Sequence, residues 1–324
     1  MKIITLEDHF ATSMFRETLP LNPIFADFYP VRGKQVGVDI VAELLNLGDT
    51  RLTAMDAAGI DVQVVSLTAP GCEALDAENA LAVARDANDK LFEAVKAHPD
   101  RLAGFAALPT ADPEASAKEL ERAVTRLGFK AAMINGHVRG RYLDDKKYWS
   151  IFECAQALDV PIYLHPTLPH PNVLKTYFEG YEELSLAAWG FALETCTHFL
   201  RLVFAGVFDA YPRLKFILGH LGEGLPFWLH RINDHTYQAA ARRGLKKTPA
   251  QYLRENLAVT TSGNFFTPAF LCTVMALGVD NVLFSVDWPY ESNRTATDWF
   301  KHVPLGDHDK EKIAHLNAER ILHL

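Results

Sequence analysis

Cysteine is scarce in this chain: four occur in 324 residues, and Cys72, Cys154, Cys196 and Cys272 lie far apart with no C-x-x-C pair. That spacing excludes a zinc knuckle and a disulfide framework, and leaves the four as small hydrophobes. Basic patches are missing as well. The densest cationic runs are Arg242-Arg243 and Lys246-Lys247 in a chain of formal net charge -8, whereas a nucleic-acid or anionic-membrane partner would call for a basic surface. No apolar stretch is long enough to span a bilayer. Met1 and Lys2 lead straight into a strand-like run without the apolar core of a signal peptide, so a soluble, cytoplasmic protein is expected. No low-complexity tract or Gly/Ser/Pro-rich linker divides the chain, which predicts one domain over residues 1–324; hydrophobic residues make up 49% of it, ample for a large core.

What is present is an alternation. Short aliphatic or β-branched runs occur at 3–7, 62–67, 102–108, 131–135, 160–165, 214–220, 257–262 and 282–287. Between them, segments such as 77–97, 114–126, 147–158 and 309–322 carry apolar residues at spacings near three and four, the mark of helices. Continuous apolar strands alternating with helices predict a parallel sheet covered on its faces. Eight such units, in a chain somewhat longer than the roughly 250 residues usual for the fold, predict an α/β protein of the (β/α)8 TIM-barrel type. A doubly wound open sheet is the alternative, but no G-x-G-x-x-G follows the first strand. Segments 10–50 and 166–190 exceed ordinary loop length and follow strands one and five, so extended loops are expected at the barrel mouth.

In a barrel the active site lies at the C-terminal strand ends, so the residue on which each run ends is informative. The runs end on Glu7 and His9, Ser66, Asn135, His165, His220, Ser262 and Asp287, nearly all hydrogen-bonding or metal-binding groups. Residues two apart on a strand share a face, so Glu7 and His9 can present a carboxylate and an imidazole to one point, with Asp8 on the opposite face. His165 and Asp287 complete a set of two nitrogens and two carboxylates, suited to one divalent Zn, Mn or Mg-type ion. Singly, each has a plain alternative as a surface or core histidine or a helix-capping acid; the joint pattern favours the metal site.

Two further stretches carry chemistry. In "GHLGEGLPFW" (219–228), Glu223 stands three residues after His220 and can accept its imidazole N–H, fixing the tautomer; alternatively Glu223 opens the next helix favourably to its dipole. In "FSVDWPYE" (284–291), Pro289 stops the strand and leaves Asp287 at the rim. "AAWGFALE" (187–194) reads, on spacing, as a core helix rather than a substrate wall.

With those residues placed, the chain resembles the amidohydrolase superfamily, in its branch of metal-dependent, non-oxidative decarboxylases, closest to those acting on γ-resorcylate (2,6-dihydroxybenzoate), 2,3-dihydroxybenzoate and salicylate. The blocks "LEDHFA", "LTAPG", "RLAGFAALP", "PIYLHP", "FDAYPRLKFILGHLGEGLPF", "VTTSGNF" and "LFSVDWPYE" carry the resemblance along essentially the whole chain. The superfamily more commonly opens with H-x-H; here Glu7 takes the first position, as in hydroxybenzoate decarboxylases. Asn135 stands where many superfamily hydrolases have a metal-bridging lysine, which implies one metal. The resemblance further implies Glu7, His9, His165 and Asp287 as ligands, with His220, Glu223 and Asp287 catalytic. It implies Arg231 as a substrate contact across a subunit interface, and Asn135, Phe25 and Trp189 as pocket residues. The implied partner is a small aromatic carboxylic acid, and the implied assembly a homodimer or homotetramer. Hydrolysis of a lactone or amide is the competing reaction, since fold alone does not decide chemistry. A barrel with a merely structural metal is disfavoured by the adjacent acid–base pair.

Overall fold

A computed structural model describes residues 1–19 and 22–324; Pro20 and Leu21, within the first long segment, lie outside the described residues. Eight parallel strands form one sheet in sequential order: β1 Ile4–Phe10, β2 Val62–Leu67, β3 Leu102–Ala107, β4 Ala131–Asn135, β5 Ile162–His165, β6 Phe216–Leu218, β7 Leu257–Thr260 and β8 Val282–Leu283. The sheet returns on itself through a parallel bridge between Asp8 and Trp288, where the His9 N–H donates to the Trp288 carbonyl at 2.7 Å. This is the (β/α)8 barrel that the alternation predicts. Its strands read as unbroken apolar runs because helices cover the outside and side chains fill the inside. Ile4, Leu6, Val64, Phe105, Met133, Ile217 and Leu283 form the packed lumen.

The crossover helices follow their capping signals. Ala77–Ala97 starts at Asp76, whose carboxylate accepts the Asn79 N–H, and buries a stripe of Ala80, Val83, Ala84, Ala87 and Leu91. Pro113–Leu127 is capped by Asp112 and ends at Gly128 in the left-handed region. The helix expected at 309–322 is interrupted by a π-helical turn at Lys312–Leu316. Among the described residues no helix is long and apolar enough to cross a membrane.

Three expectations are corrected. Strands β6, β7 and β8 are shorter than their apolar runs, so His220, Ser262 and Asp287 lie on irregular backbone past the strand ends. The segment after β1 is largely helical, with Ser13–Thr18, Pro23–Val36 and Ile40–Leu44, rather than an open loop. Asn22 caps the second of these and Pro23 occupies its first turn; its apolar residues follow no single stripe because Phe25 and Tyr29 face a cavity rather than a flat core. The segment after β5 likewise contains short helical turns at Pro171–Val173, Leu174–Phe178 and Glu182–Leu184.

Candidate active site

The barrel mouth is prepared by a fault in β1. Its register against β2 shifts between Thr5 and Asp8. A bulge reverses which side chains face inward, so Ile4 and Leu6 fill the lumen while Glu7 and His9 also turn to it. Thr5 and Asp8 then share the outer side, where the Thr5 hydroxyl bonds the Asp8 carboxylate and the Trp288 N–H donates to Asp8 Oδ1 at 3.2 Å. Burial raises Asp8 to about 7, against the opposing pull of Thr5 and Arg51. Arg51 is fully buried and donates to the His9 carbonyl at 2.5 Å and to Gln63 Oε1 at 3.1 Å. Asp8 and Arg51 thus hold the backbone that carries Glu7 and His9.

Glu7, His9, His165 and Asp287 converge, each offering one ligand atom, and these atoms all lie within 4.8 Å of one another. His165 Nε2 is 3.1 Å from Glu7 Oε1, and His9 Nε2 is 3.2 Å from Asp287 Oδ1. Glu7 Oε1, His9 Nε2 and Asp287 Oδ1 are buried and have no hydrogen-bond partner among the described residues. Buried polar atoms are nearly always satisfied, so three orphans pointing at one spot fit a divalent ion, and a two-nitrogen, two-carboxylate set suits Mn or Zn. The other ligand atoms are tied back. His165 Nδ1 bonds the Pro166 carbonyl at 2.7 Å, leaving Nε2 toward the centre. Glu7 Oε2 accepts the hydroxyls of Tyr163, Ser262 and Thr260, the last at 3.3 Å. Such outer contacts orient ligands. Gly219 is required beside them: a Cβ there would stand 2.6 Å from Glu7 Oε2.

His220 sits against this group, its Nε2 at 3.6 Å from Asp287 Oδ2 and 3.8 Å from Glu7 Oε1. Its Nδ1 is 2.6 Å from Glu223 Oε1. Burial opposes charge on the imidazole, but Glu223 and then Glu7 outweigh it and raise His220 well above its ordinary value. Burial likewise opposes the charged form of Glu7, yet His220, His165 and His9 together hold it below the usual carboxylate range. His220, Leu221, Glu223 and Asp287 are four of the seven non-glycine residues with positive φ among the described residues. Strained backbone of this kind concentrates at functional sites.

The metal group opens into a cavity of about 300 Å³ walled by Phe25, Tyr29, Leu186 and Phe191, with Arg32, Gln35 and Glu291 also on its wall. That volume is at the small end of ligand pockets and suits a single substituted ring. A larger cavity of about 700 Å³ adjoins it across Phe25, Tyr29 and Ala69 but contains none of the ligand residues, so the chemistry belongs to the smaller one.

The amidohydrolase family model matches residues 42–324. The chain belongs to the amidohydrolase family. Among curated members, the γ-resorcylate decarboxylase of Polaromonas sp. (strain JS666 / ATCC BAA-500) is 41% identical over 330 residues, covering 99% of this chain and 98% of the relative. A crystal structure of dihydroxybenzoic acid decarboxylase from Polaromonas sp. JS666, with bound manganese and the inhibitor 2-nitroresorcinol, superposes with TM-score 0.90 at 40% identity, covering 100% of this chain and 97% of that one. The 5-carboxyvanillate decarboxylase of Novosphingobium aromaticivorans DSM 12444, complexed with manganese, gives TM-score 0.91 at 35% identity, covering 100% and 96%.

Within this amidohydrolase site, two expected pocket residues stand elsewhere. Asn135 pairs in register with His165 but its Nδ2 donates to Glu73 Oε2 at 3.4 Å, and it does not line the cavity. Trp189 is 56% exposed, because helix Gly190–Ala205 begins directly after it; its neighbours Ala187, Ala188 and Phe191 line the cavity instead, so "AAWGFALE" contributes to the cavity wall rather than reading only as a core helix. Phe25 lines the cavity, while Arg231 is exposed on helix Leu225–Arg242. Tyr163, Thr260, Tyr290, Arg32 and Glu291 went unnoticed. Tyr163 had a signal, standing two residues before His165 on the same strand face; Arg32 and Glu291 had none, being brought together by tertiary packing.

Proposed function

We propose that this protein is a metal-dependent, non-oxidative decarboxylase of an ortho-hydroxybenzoate, with 2,6-dihydroxybenzoate, 2,3-dihydroxybenzoate and salicylate as candidate substrates. It is a carboxy-lyase for aromatic acids, acting in the cytoplasm as single-barrel subunits. The observation that carries this reading is the convergence of three unbonded buried atoms on the inner end of an aromatic-walled cavity, beside an imidazole already paired with a carboxylate. Glu7, His9, His165 and Asp287 are the ligand set in this proposal. A divalent ion held by them would supply Lewis-acid charge that lowers the pKa of an ortho phenol and helps orient the substrate.

The chain's own groups supply the rest. Phe25, Tyr29 and Phe191 enclose the ring and exclude water. In this proposal Asp287 delivers a proton to the ring carbon that bears the carboxylate; the bond to that carboxylate then breaks, its electron pair returns to the ring, and carbon dioxide leaves. His220, 3.6 Å from Asp287 Oδ2, returns a proton to Asp287 while Glu223 holds its other nitrogen.

The active assembly is a homodimer or homotetramer in which Arg231 reaches a neighbouring subunit's pocket. Supporting this, Phe227 and Trp228 are 72% and 50% exposed on the same helix as Arg231. Sedimentation at the monomer mass would remove this part of the proposal. The reaction is tested by incubating metal-loaded protein with hydroxybenzoates and lactones while following ultraviolet absorbance and carbon dioxide release. Decarboxylation of at least one ortho-hydroxy acid is expected; turnover of a lactone alone would assign hydrolysis instead.

A further inference from the structure

The wall of the cavity carries a second polar group that the mechanism does not use. There each guanidinium nitrogen of Arg32 makes one bond within the protein: Nε donates to the Tyr290 carbonyl at 2.8 Å, one terminal nitrogen donates to Gln35 Oε1 at 3.0 Å, and the other pairs with Glu291 Oε1. Glu291 Oε2 accepts no hydrogen bond among the described residues. Both residues are only partly exposed and both line the same cavity as His165, His220 and Asp287. Glu291 stands one turn beyond Asp287, its N–H donating to the Asp287 carbonyl at 3.0 Å, so the pair is tied to the catalytic backbone.

We infer that the Arg32–Glu291 pair is a specificity subsite that selects ortho-hydroxybenzoates carrying a further ring hydroxyl and rejects those carrying a second carboxylate. This deepens the decarboxylase reading and rests on it. A ring hydroxyl brings a donor to the free acceptor Oε2. A second carboxylate brings no donor to Glu291 and must compete with it for Arg32, whose three nitrogens already each donate within the protein; breaking that pair in a confined cavity is costly. A bare arginine at this place would have the opposite preference, since a guanidinium fork matches a carboxylate. The acid paired with it inverts the selection.

The test uses matched pairs of salicylates bearing either a hydroxyl or a carboxylate at the same ring position, with kcat/KM for each divided by that for salicylate on the same metal-loaded protein. The wild-type protein is expected to favour the hydroxyl member by at least about tenfold at one position. Glu291→Gln is expected to shrink that ratio about tenfold by admitting the carboxylate, and Arg32→Leu to widen it, because the unpaired Glu291 repels a carboxylate more strongly. Opposite shifts from the two members of one pair are not produced by a loss of fold, which scales all substrates together. A ratio that Glu291→Gln leaves unmoved, with salicylate still turned over, overturns the subsite alone. Failure of the wild-type protein to decarboxylate any ortho-hydroxybenzoate overturns the decarboxylase reading and the subsite with it.

Discussion

The lower lumen of the barrel and its mouth are built on the same strands, yet they obey opposite rules. Below, Ile4, Leu6, Val64, Phe105, Met133, Ile217 and Leu283 satisfy one another by contact and leave no polar atom behind. Above, Glu7, His9 and Asp287 keep buried atoms without hydrogen-bond partners, and the backbone at His220, Leu221, Glu223 and Asp287 is held at positive φ. The first region is where stability is made; the second is where some of it is given up for a site. Tyr163 sits on the border, its ring packed in the lumen and its hydroxyl bonded to Glu7 Oε2.

That contrast is breakable at three points, in order of expected effect. Asp287→Asn removes the proposed proton donor while keeping shape, so kcat is expected to fall on the order of 10²–10⁴-fold with the urea midpoint unchanged or raised. Metal content measured in parallel separates loss of the acid from loss of the ion, and full turnover with metal retained would sink the assignment. Phe105→Ala attacks the lower lumen instead: a cost of about 3–5 kcal/mol in urea unfolding is expected, with the remaining folded protein still binding one metal per subunit. A loss of metal without a loss of stability would show that the two regions are not separable in this way. Tyr163→Phe touches the border, keeping the ring and deleting the bond to Glu7; a 10- to 100-fold weaker metal affinity is expected, read by competition with a chelator. Unchanged affinity would mean that Ser262 and Thr260 orient Glu7 without it.

The fold was legible because parallel barrel strands are buried on both faces and so appear as unbroken apolar runs, each of the eight lying where a strand forms. The group that could hold a metal was legible for a related reason: a polar residue at the end of such a run has no packing role, so Glu7, His9, His165 and Asp287 stand out. The ends are less legible at β6, β7 and β8, since the runs continue past the last ladder bond into the turns that carry His220, Ser262 and Asp287. Asn135 looked like a pocket residue for the same polar ending, but Glu73 takes up its amide. The family resemblance implies Trp189 as a pocket residue, but the helix start at Gly190 leaves it 56% exposed.

The amino-acid sequence by itself determined the order of strands and helices, the eight-fold repeat and the residue types available at the mouth, because periodicity and burial on both faces are local properties of a run. Only the tertiary structure decided which of those residues meet. The register shift in β1 that turns Glu7 inward beside Leu6 is a pairing property between two strands. The hydroxyls of Tyr163, Thr260 and Ser262 reach Glu7 from strands remote in sequence. The Arg32–Glu291 pair spans 259 positions along the chain. Contacts over such separations depend on closure of the whole barrel, and no local pattern encodes them.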